Sequence, residues 1–213
     1  RISARPAPPA TRERRWLNAF ARAADRAAHE IKNPLNGLAV NLEVVRTRAA
    51  RHGTDAASLT SFADAAAEEL SRAATLVDAL LALARPARHP VDLWHLVQPL
   101  VRLYGAIAAA DGGAVTFEPP TEVLLLPAAS TEVARAALAI ALEALVHDRA
   151  RVEGTAVRRG EEIVVSVRGT QPPAPVDDVT RAALAAGGAE LRRGEDGFLI
   201  FFAPGTGGGT GVM

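Results

Sequence analysis

His29-Glu30-Ile31-Lys32-Asn33-Pro34-Leu35 is the stretch whose reading decides this chain. A histidine that is to carry phosphate needs a neutral ring nitrogen at the surface of a rigid element. A neighbouring carboxylate can hold the other ring proton and so fix the tautomer. Glu30 supplies that carboxylate. Asn33 lies four residues beyond His29, about one helical turn along the same face, where its amide can order a water or a phosphoryl oxygen. Pro34 removes the helical hydrogen bond back to residue 30, so the helix is expected to bend or loosen just after the histidine and to permit motion there.

Working outward, the residues around this stretch are strong helix formers from about 13 to 50. After Pro34, Leu35, Leu38, Leu42 and Val45 recur at spacings of three, four and three, the seam of a helix bundle. Upstream, Pro6, Pro8 and Pro9 mark residues 1–12 as a linker. The break at Arg51-His52-Gly53-Thr54 offers Gly53 as a helix end and Thr54 or Asp55 as the next cap. Leu59, Phe62, Ala66, Leu70, Ala73, Val77 and Leu80 then keep a three-four rhythm until Arg85-Pro86 stops it. Residues 13–88 therefore form a helical hairpin. Two helices with one apolar stripe each bury those stripes poorly alone, whereas two hairpins make a four-helix bundle, so a homodimer is expected.

After Pro90 the pattern changes to that of a second, α+β domain over residues 89–204. A strand-like start at Val91 leads to a helix from about 94 to 110 and short β runs at 115–117 and 123–126. A helix from 131 to 148 follows, then alternating residues 155–158 and apolar residues 163–167 around the turn Arg159-Gly160. A helix near 179–186 precedes a last hairpin, 189–193 with 198–203, turning at Gly194-Glu195-Asp196-Gly197. Residues 205–213 are read as a flexible Gly-rich tail.

Composition narrows the function classes. Lys and Arg number 24 against 24 Asp and Glu, so no cationic excess exists to bind nucleic acid or an anionic membrane surface. There is no cysteine, which excludes disulfides and thiolate metal sites and fits a reducing, cytoplasmic setting. No apolar run reaches the length of a membrane span. The first residue is Arg1 and not Met, and we expect a piece of a longer sensor. His52, His89, His95 and His147 lack the company His29 keeps; with no zinc-type spacing among them, they read as surface or packing residues and no metal site is expected.

Ala28-His29-Glu30-Ile31-Lys32-Asn33-Pro34-Leu35 resembles the H-box of sensor histidine kinases. The run Val77-Asp78-Ala79-Leu80-Leu81-Ala82-Leu83-Ala84-Arg85-Pro86 resembles the end of their second dimerisation helix. The resemblance implies that His29 carries phosphate, that Glu30 is its general base and that Asn33 serves in removing phosphate from a partner's aspartate. It also implies that the second domain is an ATPase-like α/β sandwich. In that family an asparagine-bearing helix holds magnesium, an aspartate reads the adenine amine, and glycines let a lid close over the phosphates.

This chain departs from each of those features. Glu143 stands where the family's magnesium-binding asparagine would fall on the helix from Ala134 to Leu145, a carboxylate that could still hold magnesium. Arg168-Gly169-Thr170-Gln171-Pro172 replaces Asp-x-Gly-x-Gly, and Arg168, a donor only, cannot accept from adenine's exocyclic amine. Too few residues lie between Pro173 and the helix at Val179 for a lid. Gly205-Thr206-Gly207-Gly208-Gly209-Thr210-Gly211 spells a glycine motif but follows a strand and opens no helix, so it lacks the amides that attract phosphate. Lys32 is the only lysine and no Gly-x4-Gly-Lys precedes a helix, which excludes a P-loop.

The expected function is thus a histidine phosphotransferase or pseudokinase. It would exchange phosphate between His29 and a response-regulator receiver domain whose own magnesium neutralises charge, with no cofactor bound by this chain. The alternatives are an active sensor kinase that autophosphorylates His29 from ATP, and a non-catalytic dimeric module that binds regulators.

Overall fold

The computed structural model describes residues 9–49 and 56–203. The expected linker residues 1–8, the Thr54 or Asp55 cap and the Gly-rich tail lie outside the described residues. Helix α1 runs Pro9–Ala49 and α2 runs Ala56–Ala84. The helix therefore begins four residues earlier than the sequence suggests. Proline is well tolerated in the first helical turn, because its missing N–H would have had no intrahelical partner there. Pro34 lies inside α1, which continues through it to Ala49.

The two helices pack along one face each. On α1 the covered positions include Ile31, Pro34, Leu38 and Val45, and on α2 they include Phe62, Ala66, Ala73, Leu76, Ala79 and Leu83. Both sets keep helical spacing, so alanines at 66, 73 and 79 let the helices approach closely. The Arg48 guanidinium stacks over the Phe62 ring at 4.7 Å from its centroid and ties the helices together near the hairpin's far end. Leu35 and Leu42, expected in the same seam as Leu38, are instead 45% and 51% exposed, and Leu70, Val77 and Leu81 stand out likewise on α2.

The second region is a two-layer α/β sandwich. Five strands, β2 (Ala114–Phe117), β4 (Arg151–Arg159), β5 (Glu162–Gly169), β6 (Ala189–Arg193) and β7 (Gly197–Phe202), form a sheet in the order β2-β4-β5-β7-β6. Only the β2–β4 pair is parallel. A short antiparallel pair joins β1 (Val91–Asp92) to β3 (Leu125–Leu126), so the strand expected over 123–126 shortens to two residues. Helices α3 (Leu93–Ala110) and α4 (Ala128–Leu145) cover one face of the large sheet, and α5 (Asp178–Ala186) sits by β6.

Alternation decides which side is covered. Val152 and Ala156, Ile163, Val165 and Val167, then Phe198, Ile200 and Phe202 all turn toward the helices and are buried. Asp92 starts α3 by accepting from the Trp94 amide at 3.2 Å. The expected helix over 131–148 is observed three residues earlier at both ends, stopping at Leu145. Beyond Leu145 the chain closes into a tight turn in which Asp148 and Arg149 take positive φ.

The hairpin is not a separate body on a tether. Leu76 and Leu83 of α2 belong to the same buried cluster as Leu93, Leu100, Leu138 and Leu142, and Ile31 of α1 packs against it. The Arg135 guanidinium on α4 reaches back to donate to the Arg85 carbonyl at 2.6 Å, at the end of α2. The base of the hairpin and the sandwich therefore share one core.

Candidate functional site

His29 is exposed on α1, because Ile31 on the other side of the helix packs against the shared core. A residue two positions from a buried one is turned about 200° away from it. Asn33 is exposed one turn on, and Glu30 is half-buried between them. The H-box side chains named from sequence therefore do fall together, at the junction of the hairpin and the sandwich.

That junction has a cleft of about 540 Å³. Helix α1 contributes Arg26, His29, Glu30 and Asn33 to its walls. The end of α3 contributes Ile107, Ala110 and Asp111, and the turn after α4 adds Val146, His147 and Asp148. On the other side of α1 a second cavity of about 510 Å³ lies among α1, α2 and α3, lined by Glu30, Asn33 and Pro34 and facing Arg72 and Arg102. Glu30 and Asn33 thus border both spaces.

The residues singled out by sequence in the second domain lie near the ends of α4 and β5. Glu143 is half-buried on α4. Arg168, at the end of β5, directs its guanidinium toward the Asp196 carboxylate at 3.9 Å, both side chains being largely exposed. The segment after β5 is stitched down. Thr170 N–H donates to the Arg151 carbonyl at 3.0 Å, and Ala174 N–H donates to the Ala144 carbonyl in the last turn of α4 at 2.8 Å. Arg193 donates to the Pro173 carbonyl at 2.6 Å from the other side. Leu145, fully buried, closes on the end of β5 so tightly that a Cβ on Gly169 would lie 2.9 Å from its Cδ2. The space between the ends of α4 and β5 is occupied by the protein's own side chains and backbone.

Residues 21–88 match the sequence family described as the His Kinase A (phospho-acceptor) domain. Over that span the chain is similar to a histidine-kinase phospho-acceptor domain. Solved structures with a similar chain course include a bacterial phosphotransferase, at 15% identity and a TM-score of 0.48, over 87% of this chain and 95% of that one. A second is the Acinetobacter baumannii histidine kinase AdeS, at 13% identity and 0.43, over 84% and 98%. A third is the histidine kinase ThkA in complex with the response regulator TrrA, at 21% identity and 0.43, over 92% and 64%. Comparison with curated proteins gives no match.

The matched span contains all four residues named from sequence, His29, Glu30, Asn33 and Pro34. Sequence reasoning did not find Arg26, Asp111, His147 and Asp148. His147 and Asp148 lie 118 and 119 positions beyond His29 and reach the cleft only because α4 packs against α1. By sequence His147 reads as a surface or packing histidine, and nothing in its local surroundings along the chain distinguishes it from His89 or His95. No group of three or more His, Cys, Asp or Glu among the described residues is arranged to hold a metal ion. No helix among them is long and apolar enough to cross a membrane.

Proposed function

We propose that this chain is a histidine phosphotransferase of two-component signalling that has lost ATP binding. His29 exchanges phosphate with the aspartate of a response-regulator receiver domain. The observation that carries the reading is the exposed His29, flanked by Glu30 and Asn33 on one helix; the Arg168–Asp196 pair and the stitched segment after β5, standing where the family's adenine-reading aspartate and glycines would be expected, support the loss of ATP binding.

In the reaction a neutral ring nitrogen of His29 attacks the phosphorus of the regulator's aspartyl phosphate. The N–P bond forms, the P–O bond to the aspartyl carboxyl oxygen breaks, and a free carboxylate leaves on the partner. Glu30 holds the proton on the ring's other nitrogen and steadies the positive charge that develops there. A magnesium ion carried by the regulator would neutralise charge on the transferring phosphoryl group. Asn33 positions a phosphoryl oxygen or a water beside the ring. The reverse transfer uses the same groups.

The protein acts as a homodimer in this reading. Leu35 and Leu42 on α1 and Leu70, Val77 and Leu81 on α2 are large apolar side chains left exposed by the intrachain packing. A second hairpin would cover them.

The test is phosphate transfer from a receiver domain previously labelled with radioactive acetyl phosphate. Label is expected on the wild-type chain and not on His29→Gln. Glu30→Gln should slow transfer about a hundredfold, the usual size of a general-base contribution. Labelling by ATP and magnesium alone, lost in His29→Gln, would make the chain an active autokinase instead. Absence of transfer in either direction would leave only a regulator-binding role.

A further inference from the structure

The cleft beside His29 has a second imidazole in its wall, and it comes from the sandwich. His147 follows the last turn of α4, where the backbone closes into a tight turn. Ala150 N–H donates to the His147 carbonyl at 2.9 Å, and Ala114 N–H donates to the Ala150 carbonyl at 3.1 Å. Asp148 and Arg149 hold φ values of 45° and 60°. Two successive non-glycine residues persist in the left-handed region only where their surroundings over-determine them, and such positions gather at ligand-binding sites. The neighbouring α3–β2 turn presses on this one: a Cβ on Gly113 would lie 2.5 Å from the Ala150 oxygen. The ring of His147 is therefore delivered to the cleft by a fixed element.

Its two nitrogens meet different surroundings. Nε2 is buried with no hydrogen-bond partner among the described residues. A walled-in nitrogen with no acceptor is better left as a lone pair than as an orphaned N–H. The ring proton then sits on Nδ1, on the side of the Asp148 carboxylate. Oδ2 of Asp148 is 3.6 Å away and the Asp148 side chain is almost fully exposed, a separation too long for a hydrogen bond, so the Nδ1–H remains uncommitted. Beside His29 itself, the side-chain donors of the cleft are Arg26, Asn33 and His147. The first two belong to α1. Asp111 and Asp148 are acceptors and offer nothing to an anion.

We propose that His147 binds the phosphoryl group carried by His29, donating Nδ1–H to one of its oxygens. The degenerate sandwich then supplies a ligand to the phosphate site and is more than a brace for the hairpin. This inference rests on His29 being the phosphate carrier, and the experiment separates the two.

The probe is phosphoramidate, a small donor that needs no partner protein. A His29 ring nitrogen attacks its phosphorus, the N–P bond to the ring forms, the P–N bond of the donor breaks, and the amine leaves as ammonia after taking a proton. Wild-type chain is expected to take label and His29→Gln is not. His147→Ala should label about tenfold more slowly, the loss of one hydrogen bond to a charged group. His147→Asn keeps an N–H near the place of Nδ1 and should restore the rate to within about twofold of wild type. Both variants should melt with the wild-type protein. Equal rates for His147→Ala and wild type, or equal losses in His147→Ala and His147→Asn, overturn the role of His147 alone. A wild-type chain that takes no label, or label that persists in His29→Gln, overturns the role of His29 and this inference with it.

Discussion

Arg135 shows how much a single side chain can hold. It is 6% exposed, and its hydrogen bond is the donation to the Arg85 carbonyl where α2 ends. Burial pushes its pKa below the ordinary arginine value, opposed by the Glu132 carboxylate at 3.6 Å. Its Nε has no partner among the described residues, which offsets part of what the guanidinium contributes. Arg135→Ala should therefore lose only about 1–2 kcal/mol in urea unfolding, short of the full value of a charged hydrogen bond. A loss above roughly 4 kcal/mol would mean that Arg135 organises far more than the end of α2.

Asp177 gives a pH-dependent counterpart. It caps α5, accepting from the Thr180 amide at 2.7 Å and from its hydroxyl at 2.6 Å. The Thr180 hydroxyl, and after it the Thr180 amide, hold the carboxyl below the usual aspartate value. A folded pKa depressed in this way contributes stability that is present above the unfolded value near about pH 3.9 and lost as pH falls through the folded one. Wild type and Asp177→Ala should thus differ in melting temperature at neutral pH and converge in acid as the pH falls through the lowered folded value. Circular dichroism across that range checks it. A gap that stays constant on acidification would show that the cap works without its charge.

At the scale of elements, strand pairing in the sheet sets one strict demand. Gly197 opens β7 directly beside β5, and a Cβ there would lie 2.0 Å from the Val167 oxygen and 2.8 Å from the Arg168 Cα. Both are backbone atoms of a central strand with no freedom to withdraw. Gly197→Ala should lose more than about 2 kcal/mol or prevent folding, whereas Gly194→Ala, whose nearest neighbour would be 3.6 Å away, should be nearly silent. The helices divide their apolar residues in a comparable way. The repeat of Leu35, Leu38, Leu42 and Val45 is legible as a helical stripe, but it spans two faces. Leu38 and Val45 turn to α2 while Leu35 and Leu42 do not, because one neighbouring helix covers only part of so wide a stripe.

For the whole molecule, buried and uncovered apolar surface each carry a consequence. The shared core of Leu76 and Leu83 with Leu93, Leu100 and Leu138 couples hairpin and sandwich. Calorimetry should give one cooperative transition, and two separate transitions would show that the hairpin folds alone. The uncovered side chains predict association. Leu70→Glu combined with Val77→Glu places charge on the face left open by α1 and should reduce the mass in light scattering from two chains to one, with the sheet's circular dichroism retained. A mass unchanged by the pair would place any dimer contact elsewhere.

The sequence by itself determined the elements and singled out His29 as the candidate phosphate carrier. Helical spacing on either side of Arg51-His52-Gly53-Thr54, β alternation after Pro90, and His29, Glu30 and Asn33 within five positions are all local patterns. Backbone geometry turns such patterns into structure over a few residues. The departures at Glu143 and Arg168 were legible for the same reason, as single positions in short motifs. Tertiary structure alone decided what long-range packing decides. It turned the two-domain pattern into one core, filled the end of α4 with Leu145 and a stitched segment, and set His147 in the wall of the cleft that holds His29. No spacing rule links residues more than a hundred positions apart; the burial of α4 against α1 and α3 does.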